Sequence, residues 1–191
     1  DPAFAGALVD ALGAAGVPAV RNDSEHFSWD YGTYVPLHHL DPQGEVPVVM
    51  LPSVLMSNID ECLRAGAVVH DTARRLGRRA VLVASTALSH VLVRGRSNWP
   101  LPERMEADAR FMERLKAGRI DEAVADFPDY ARFVGAEMGG RPLATLLGAL
   151  RAMTADSTVL AGRQYGEYTQ SSGSGNAVMA IAAPEVLARL G

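Results

Sequence analysis

The sequence predicts an α/β fold in a single domain, with a mostly parallel central sheet and helices on both of its faces. Three features carry that expectation. Residues 46–54 are rich in valine and leucine and are bounded by Asp41-Pro42 and Ser57-Asn58, the pattern of a strand buried on both faces. Residues 80–85, Ala-Val-Leu-Val-Ala-Ser, form a second such run. The helical spacing between them completes a strand, helix and strand over about 40 residues, the length of a right-handed crossover unit.

Each element has its own signal. Asp1 is placed to cap a helix with Pro2 at its first position, Phe4, Leu8, Val9 and Leu12 fall on one face, and Gly16 stops it. A chain that opens on a helix cap instead of methionine is expected to have lost what came before. Residues 18–20 predict the start of a short strand, and 21–30 a polar loop with isolated aromatics at Phe27 and Trp29. Pro47 and Pro52 restrict the hydrogen-bonded part of the next strand to residues 48–51. Asn58 and Glu61 have capping-box spacing, and Leu63, Ala67, Val68 and Leu76 carry the helix as far as Gly77. A helix over 103–117 ends at Gly118, and a helix-rich region over 120–153 is interrupted by Pro128 and by Gly139-Gly140. Strands are expected over 158–168 and 177–182, separated by a Ser/Gly segment, 171–175, that is either flexible or close to a ligand. No repeat, charge block or long linker divides the 191 residues.

Composition narrows the function. With 48% apolar residues, 21% charged residues and a net charge of -4, the chain suits a globular domain and offers no basic field for a nucleic-acid backbone, so a small-molecule substrate is expected. The single cysteine, Cys62, can form neither an internal disulfide nor a thiolate zinc site, which suits a reducing cytoplasm. The sequence has no bilayer-length apolar run and no signal-peptide pattern, so no membrane contact is expected.

Ligands of open parallel sheets bind beyond the carboxyl ends of the strands, which directs attention to His90, five residues after the 80–85 run. An imidazole there suits general acid-base work, although an ordinary loop histidine fits the same pattern. Ser85 and Ser89 lie in no G-x-S-x-G elbow, and Gly173-Ser174-Gly175 lacks the lysine of a phosphate loop. His38 and His39 are adjacent, so on a helix they diverge by about 100 degrees and are poorly placed to share a metal. Glu137 sits among small, weakly charged residues, where a buried carboxylate needs a cation or a set of donors, and Arg141 is one candidate to supply them.

Taken in order, these landmarks resemble the class III extradiol dioxygenase superfamily, typified by the protocatechuate 4,5-dioxygenase catalytic subunit and including the 2-aminophenol 1,6-dioxygenases. The family's Asp-His-Gly segment and following Pro-Val-Val strand correspond to Asp30-Tyr31-Gly32-Thr33-Tyr34-Val35-Pro36-Leu37 and Pro47-Val48-Val49. Its motif ending in Leu-Ser-His corresponds to Ala84-Ser85-Thr86-Ala87-Leu88-Ser89-His90. Its glutamate ahead of a Leu-Gly-Ala helix corresponds to Glu137 ahead of Leu146-Leu147-Gly148-Ala149. The resemblance covers nearly the whole chain and makes residues 1–191 the C-terminal two-thirds of the family fold.

The resemblance implies oxygen-dependent extradiol opening of a catechol or 2-aminophenol type ring at non-haem Fe(II). Glu137 is then the carboxylate metal ligand and His90 the catalytic acid-base residue. The two histidine ligands are expected from an N-terminal segment outside these 191 residues. Tyr31 takes the place of the family's second-sphere histidine; a phenol hydrogen-bonds but does not shuttle protons near neutrality as imidazole does, which points to the aminophenol-cleaving branch. The implied partners are a small aromatic substrate, O2, and a second copy or a homologous subunit. Two other functions fit the same resemblance: an iron-free partner subunit of such an enzyme, and a non-enzymatic binding protein on the same fold. Phe27, Trp29 and Tyr34 are candidates to line a ring pocket, with ordinary packing as the alternative.

Overall fold

The computed structural model describes residues 1–52, 55–95 and 101–190. In chain order it contains α1 (Pro2–Ala14), α2 (Tyr31–Leu40), α3 (Ile59–Arg75), α4 (Pro102–Lys116), α5 (Ile120–Val134), a short 3-10 turn (Glu137–Gly140), α6 (Arg141–Ala155), β1 (Ala161–Ser171), β2 (Ser174–Ala182) and α7 (Pro184–Leu187). The described residues therefore combine seven helices with one two-stranded antiparallel sheet. None of these helices is long and apolar enough to cross a membrane.

The helix signals act as the sequence predicts. The Asp1 carboxylate accepts from Phe4 N, and Asn58 and Glu61 form a reciprocal capping box at the start of α3. Helix α5 runs through Pro128 and stops where Gly135 turns left-handed, with Ala136 N donating to Ala131 O and Gly135 N to Arg132 O, a Schellman end. Pro128 thus removes one helical hydrogen bond without dividing the helix, contrary to the expected interruption.

Helices α3 and α6 form the tightest contact. They run in the same direction: Arg141 at the start of α6 donates to Ser57 O ahead of α3, and Asp156 at the end of α6 pairs with His70 and Arg74 of α3. Their backbones touch because glycine faces the partner on each side. A Cβ on Gly148 would overlap Leu63 O, and one on Gly66 would overlap Thr145 O. Around this contact the main core gathers Leu63, Phe111, Phe127, Val134, Leu147 and Leu150, while Phe4, Leu8 and Leu12 of α1 form a second cluster with Ala65 and Ala73 of α3. Phe111 stacks on Tyr130 at 4.4 Å between ring centroids.

The expected parallel central sheet is not formed by the described residues. Residues 46–52 and 80–87 belong to no strand, and the end of the first expected strand, residues 53 and 54, lies outside the described residues. A strand exists only where a neighbour lies about 4.8 Å away to take its backbone hydrogen bonds. The apolar runs announce burial but do not supply that neighbour, and Val81 is 88% exposed. The observed sheet is instead a hairpin of β1 and β2, joined at the two-residue turn Ser172-Gly173, in which both residues have positive φ. Residues 171–175 are therefore a tight turn and the strand ends beside it. Helix α2 was also outside the sequence expectation: Gly32, two β-branched residues and Pro36 give no helical pattern, yet Asp30 caps it by accepting from Thr33 N, and it buries no side chain.

The glycine contact yields a test with a built-in control. Alanine normally stabilises a helix interior over glycine by roughly 1 kcal/mol. Gly6→Ala in α1, where a Cβ meets nothing within 4 Å, is expected to show that gain. Gly148→Ala is expected to lose about 1–3 kcal/mol instead, because the new methyl must displace backbone. Urea denaturation midpoints of the two variants check the opposite signs.

Candidate functional site

The site is built on the loop that follows residues 80–85, and the β1–β2 hairpin holds that loop in place. Leu88 N donates to Gly175 O at 2.9 Å, Gly175 N to Ser89 O at 2.8 Å, and Val93 N to Ser172 O at 3.0 Å. His90 forms an isolated bridge with Ser174, and its own N–H donates to Val134 O at the end of α5, 3.3 Å away. Glycine is needed where the two chains meet. A Cβ on Gly175 would lie 2.5 Å from Asp108 Oδ2 and 2.6 Å from Ser89 Oγ, and one on Gly173 would overlap Val91 O.

His90 and Glu137 meet on this loop. The imidazole Nδ1 lies 3.1 Å from Ser174 Oγ, and Nε2 lies 4.0 Å from Glu137 Oε1. When Nδ1 carries the proton and donates to Ser174, Nε2 faces the carboxylate with its lone pair. The other carboxylate oxygen, Oε2, accepts from Ala87 N at 2.6 Å. Both groups are partly exposed, so the pair is open to a ligand. Arg141 does not receive the carboxylate: its Nε donates to Ser57 O and its Nη1 to Met138 O. The path of Glu137 is fixed by unusual backbone. Met138, Gly139 and Gly140 are all left-handed, with φ of 52, 64 and 80 degrees, and the Gly140 Cα packs where any Cβ would lie 2.8 Å from the Phe127 ring. A methionine in that region costs about 1 kcal/mol or more, and such conformations collect at functional sites.

The other sequence candidates are less central. Tyr31 opens α2 with its ring 81% exposed, and among the described residues no hydrogen bond joins it to His90 or Glu137. Its neighbour Gly32 does approach the loop: a Cβ there would lie 3.7 Å from Ser85 Oγ. His38 and His39 are exposed in the last turn of α2 and touch each other edge to face. Trp29 lines a cavity of about 250 Å³ with Leu37, Asp41 and Val48, apart from His90 and Glu137, and neither Phe27 nor Tyr34 lines it. Ser89 is fully buried with its hydroxyl donated to Asp108, so it is closed to use as a nucleophile.

Asp108 is the polar centre that sequence reasoning missed. It is fully buried on α4, yet its carboxylate accepts four hydrogen bonds: from Ser89 N at 3.2 Å, Ser89 Oγ at 2.8 Å, Tyr130 OH at 2.9 Å and Tyr168 OH at 2.7 Å. Tyr168 reaches it from a bulge where residues 166–168 of β1 face only Ala177 of β2, with Gly166 at positive φ. A signal was present: Asp108 lies on the same helical stripe as Phe111, Met112 and Leu115, where a lone charge demands partners.

Among the described residues, no three histidine, cysteine, aspartate or glutamate side chains gather to hold a metal ion. Iron(II) in a two-histidine, one-carboxylate setting would find one ligand here, Glu137 Oε1, and one carboxylate does not hold iron against water. These residues alone do not fit the metal.

Residues 1–174 match the family model described as the catalytic LigB subunit of aromatic ring-opening dioxygenase. The 2-aminophenol 1,6-dioxygenase beta subunit of a Pseudomonas species is 27% identical over 148 residues, covering 65% of this chain and 46% of the relative. The chain spans about half the length of that curated relative.

The buried tyrosines give the site a measurable pH signature. Burial first, and then the adjacent Asp108 carboxylate, push the Tyr130 phenol far above its ordinary value; burial and the hydrogen bond to Asp108 raise Tyr168 as well. The folded chain therefore keeps protons that the unfolded chain releases above about pH 10, so this contribution to stability is complete below that pH and is lost as pH rises beyond it. Denaturation midpoints are expected to fall with rising alkalinity, and Tyr130→Phe to flatten the fall; an unchanged slope in that variant would contradict the assignment.

Proposed function

Because the chain belongs to the family of the catalytic LigB subunit of aromatic ring-opening dioxygenases, within the class III extradiol superfamily, we propose that it serves Fe(II)-dependent, O2-consuming extradiol cleavage of a catechol or 2-aminophenol type ring. The observation that carries this is the 4.0 Å approach of His90 Nε2 to Glu137 Oε1, two partly exposed groups from distant parts of the chain. When bound, the iron would supply activation of oxygen and of the substrate's adjacent ring substituents. Glu137 would be the carboxylate ligand of that iron, and its histidine ligands would have to come from outside the described residues.

The chain's own groups then have separate tasks. The Ala87 N–H bond to Oε2 leaves Glu137 Oε1 directed toward the open side. Ser174 orients the imidazole, and His90 Nε2 takes the proton of the substrate's ring hydroxyl or amino group and returns it as the ring opens. Tyr31, beside Gly32 on the side of α2 nearest Ser85, donates a hydrogen bond to a substrate heteroatom. Since the relative is named as a beta subunit, an assembly with a second copy or a homologous subunit is part of the same proposal.

In the complete iron-loaded assembly, His90→Ala is expected to keep its iron and lower turnover by about 10²- to 10⁴-fold, the usual contribution of a general acid-base group. Oxygen uptake with 2-aminophenol and with catechols measures this, and full turnover in the variant would remove the assigned role. Glu137→Ala is expected to lose the iron itself, read by metal analysis after gel filtration.

A further inference from the structure

A buried carboxylate is costly unless every lone pair is met, so its retention in an apolar core asks for a reason. Asp108 joins four separate parts of the chain: its own helix α4, Tyr130 of α5, Tyr168 of β1 and Ser89 of the loop. Its two bonds to Ser89 act on the residue immediately before His90. On the opposite side Ser89 O receives Gly175 N, and His90 N is tied to Val134 O. The backbone that presents the imidazole is thereby clamped from α4, α5 and the hairpin at once, and the absence of a Cβ on Gly175 leaves room for the clamp to close.

We infer that Asp108 is a positioning residue for His90: its carboxylate fixes Ser89, and Ser89 fixes the backbone from which Nε2 is held toward Glu137. The inference rests on the acid-base role proposed for His90. Asp108 touches neither substrate nor metal; it sets where the proton acceptor stands. Replacing it with asparagine keeps the shape but removes the charge and turns an NH2 group toward Tyr130, whose phenol must then accept instead of donate, so the hold on Ser89 weakens and the loop loosens. A misplacement on the scale of 1 Å costs up to about 10²-fold in rate.

The test is a mutant cycle in the complete enzyme, with turnover and the 15N imidazole resonances of His90 as independent readouts. Asp108→Asn is expected to lower kcat by about 10- to 100-fold with little change in KM. Combined with His90→Ala it is expected to add no further loss, because both act through one group. The His90 resonances are expected to move in Asp108→Asn and in Ser89→Ala, but not in Leu12→Ala, which loosens the remote α1 cluster. Multiplying losses in the double variant, or unmoved His90 resonances in Asp108→Asn, would overturn the inference. Should Asp108→Asn fail to fold, Ser89→Ala decides in its place, since it removes the shorter of the two bonds between Ser89 and Asp108 while leaving Asp108 its two phenols. Full turnover in His90→Ala alone would count against the acid-base role of His90, and the resonances would still decide the positioning role.

Discussion

The close crossing of α3 and α6 is the constraint on which the rest of the molecule depends. Two glycines, Gly66 and Gly148, let the helix backbones touch, and no other residue fits at either position. Because the helices run in the same direction, the contact sets the height of both their starts. The start of α6 is where the chain emerges from Glu137, so a packing contact in the core determines where a candidate metal ligand stands. Arg141, bound to Ser57 O ahead of α3, completes that coupling and is thereby withheld from Glu137.

A second organising element is polar. The Asp108 carboxylate is surrounded by Phe111, Tyr130 and Tyr168, and the same two phenols that pack the core also satisfy its charge. Such a network is worth having only when complete, since a half-satisfied buried carboxylate destabilises more than an apolar side chain in its place. Completion here requires α4, α5, the bulge in β1 and the His90 loop to be in register together. The consequence is that the loop bearing the imidazole is tied to the core at Ser89, although His90 itself is partly open to solvent.

Much of the helical structure was legible from local chemistry. Asp1 and Asn58 with Glu61 marked helix starts, Gly16, Gly77 and Gly118 marked helix ends, and tertiary packing followed those marks. The strands expected over 158–168 and 177–182 formed as the β1–β2 hairpin, whereas the expected parallel sheet did not, because residues 46–54 and 80–85 declare apolar character while a ladder depends on a partner that the runs do not specify. Pro128 misled in the other direction, since packing of Phe127 and Tyr130 holds α5 together across it. For the site, His90 and Glu137 were found through their spacing and resemblance, and their approach could not have been read from residues 47 positions apart. Ser174, seen only as part of a Gly-rich segment, gained meaning when the hairpin brought it to the imidazole. Asp108 was visible as a charge on an apolar stripe, but nothing in the sequence named its partners.

The three left-handed residues after Glu137 have a bearing on how the site can change over generations. A carboxylate is easy to retain by chance, whereas glycine at both 139 and 140 is retained only if the backbone still follows this route. A homologue that kept the glutamate and lost Gly140 would have to displace Phe127 or send its chain another way, and one that lost Gly139 would add a second strained residue beside position 138. The glycine pair is therefore the better marker for sorting family members that preserve this arrangement from those that have drifted to other uses.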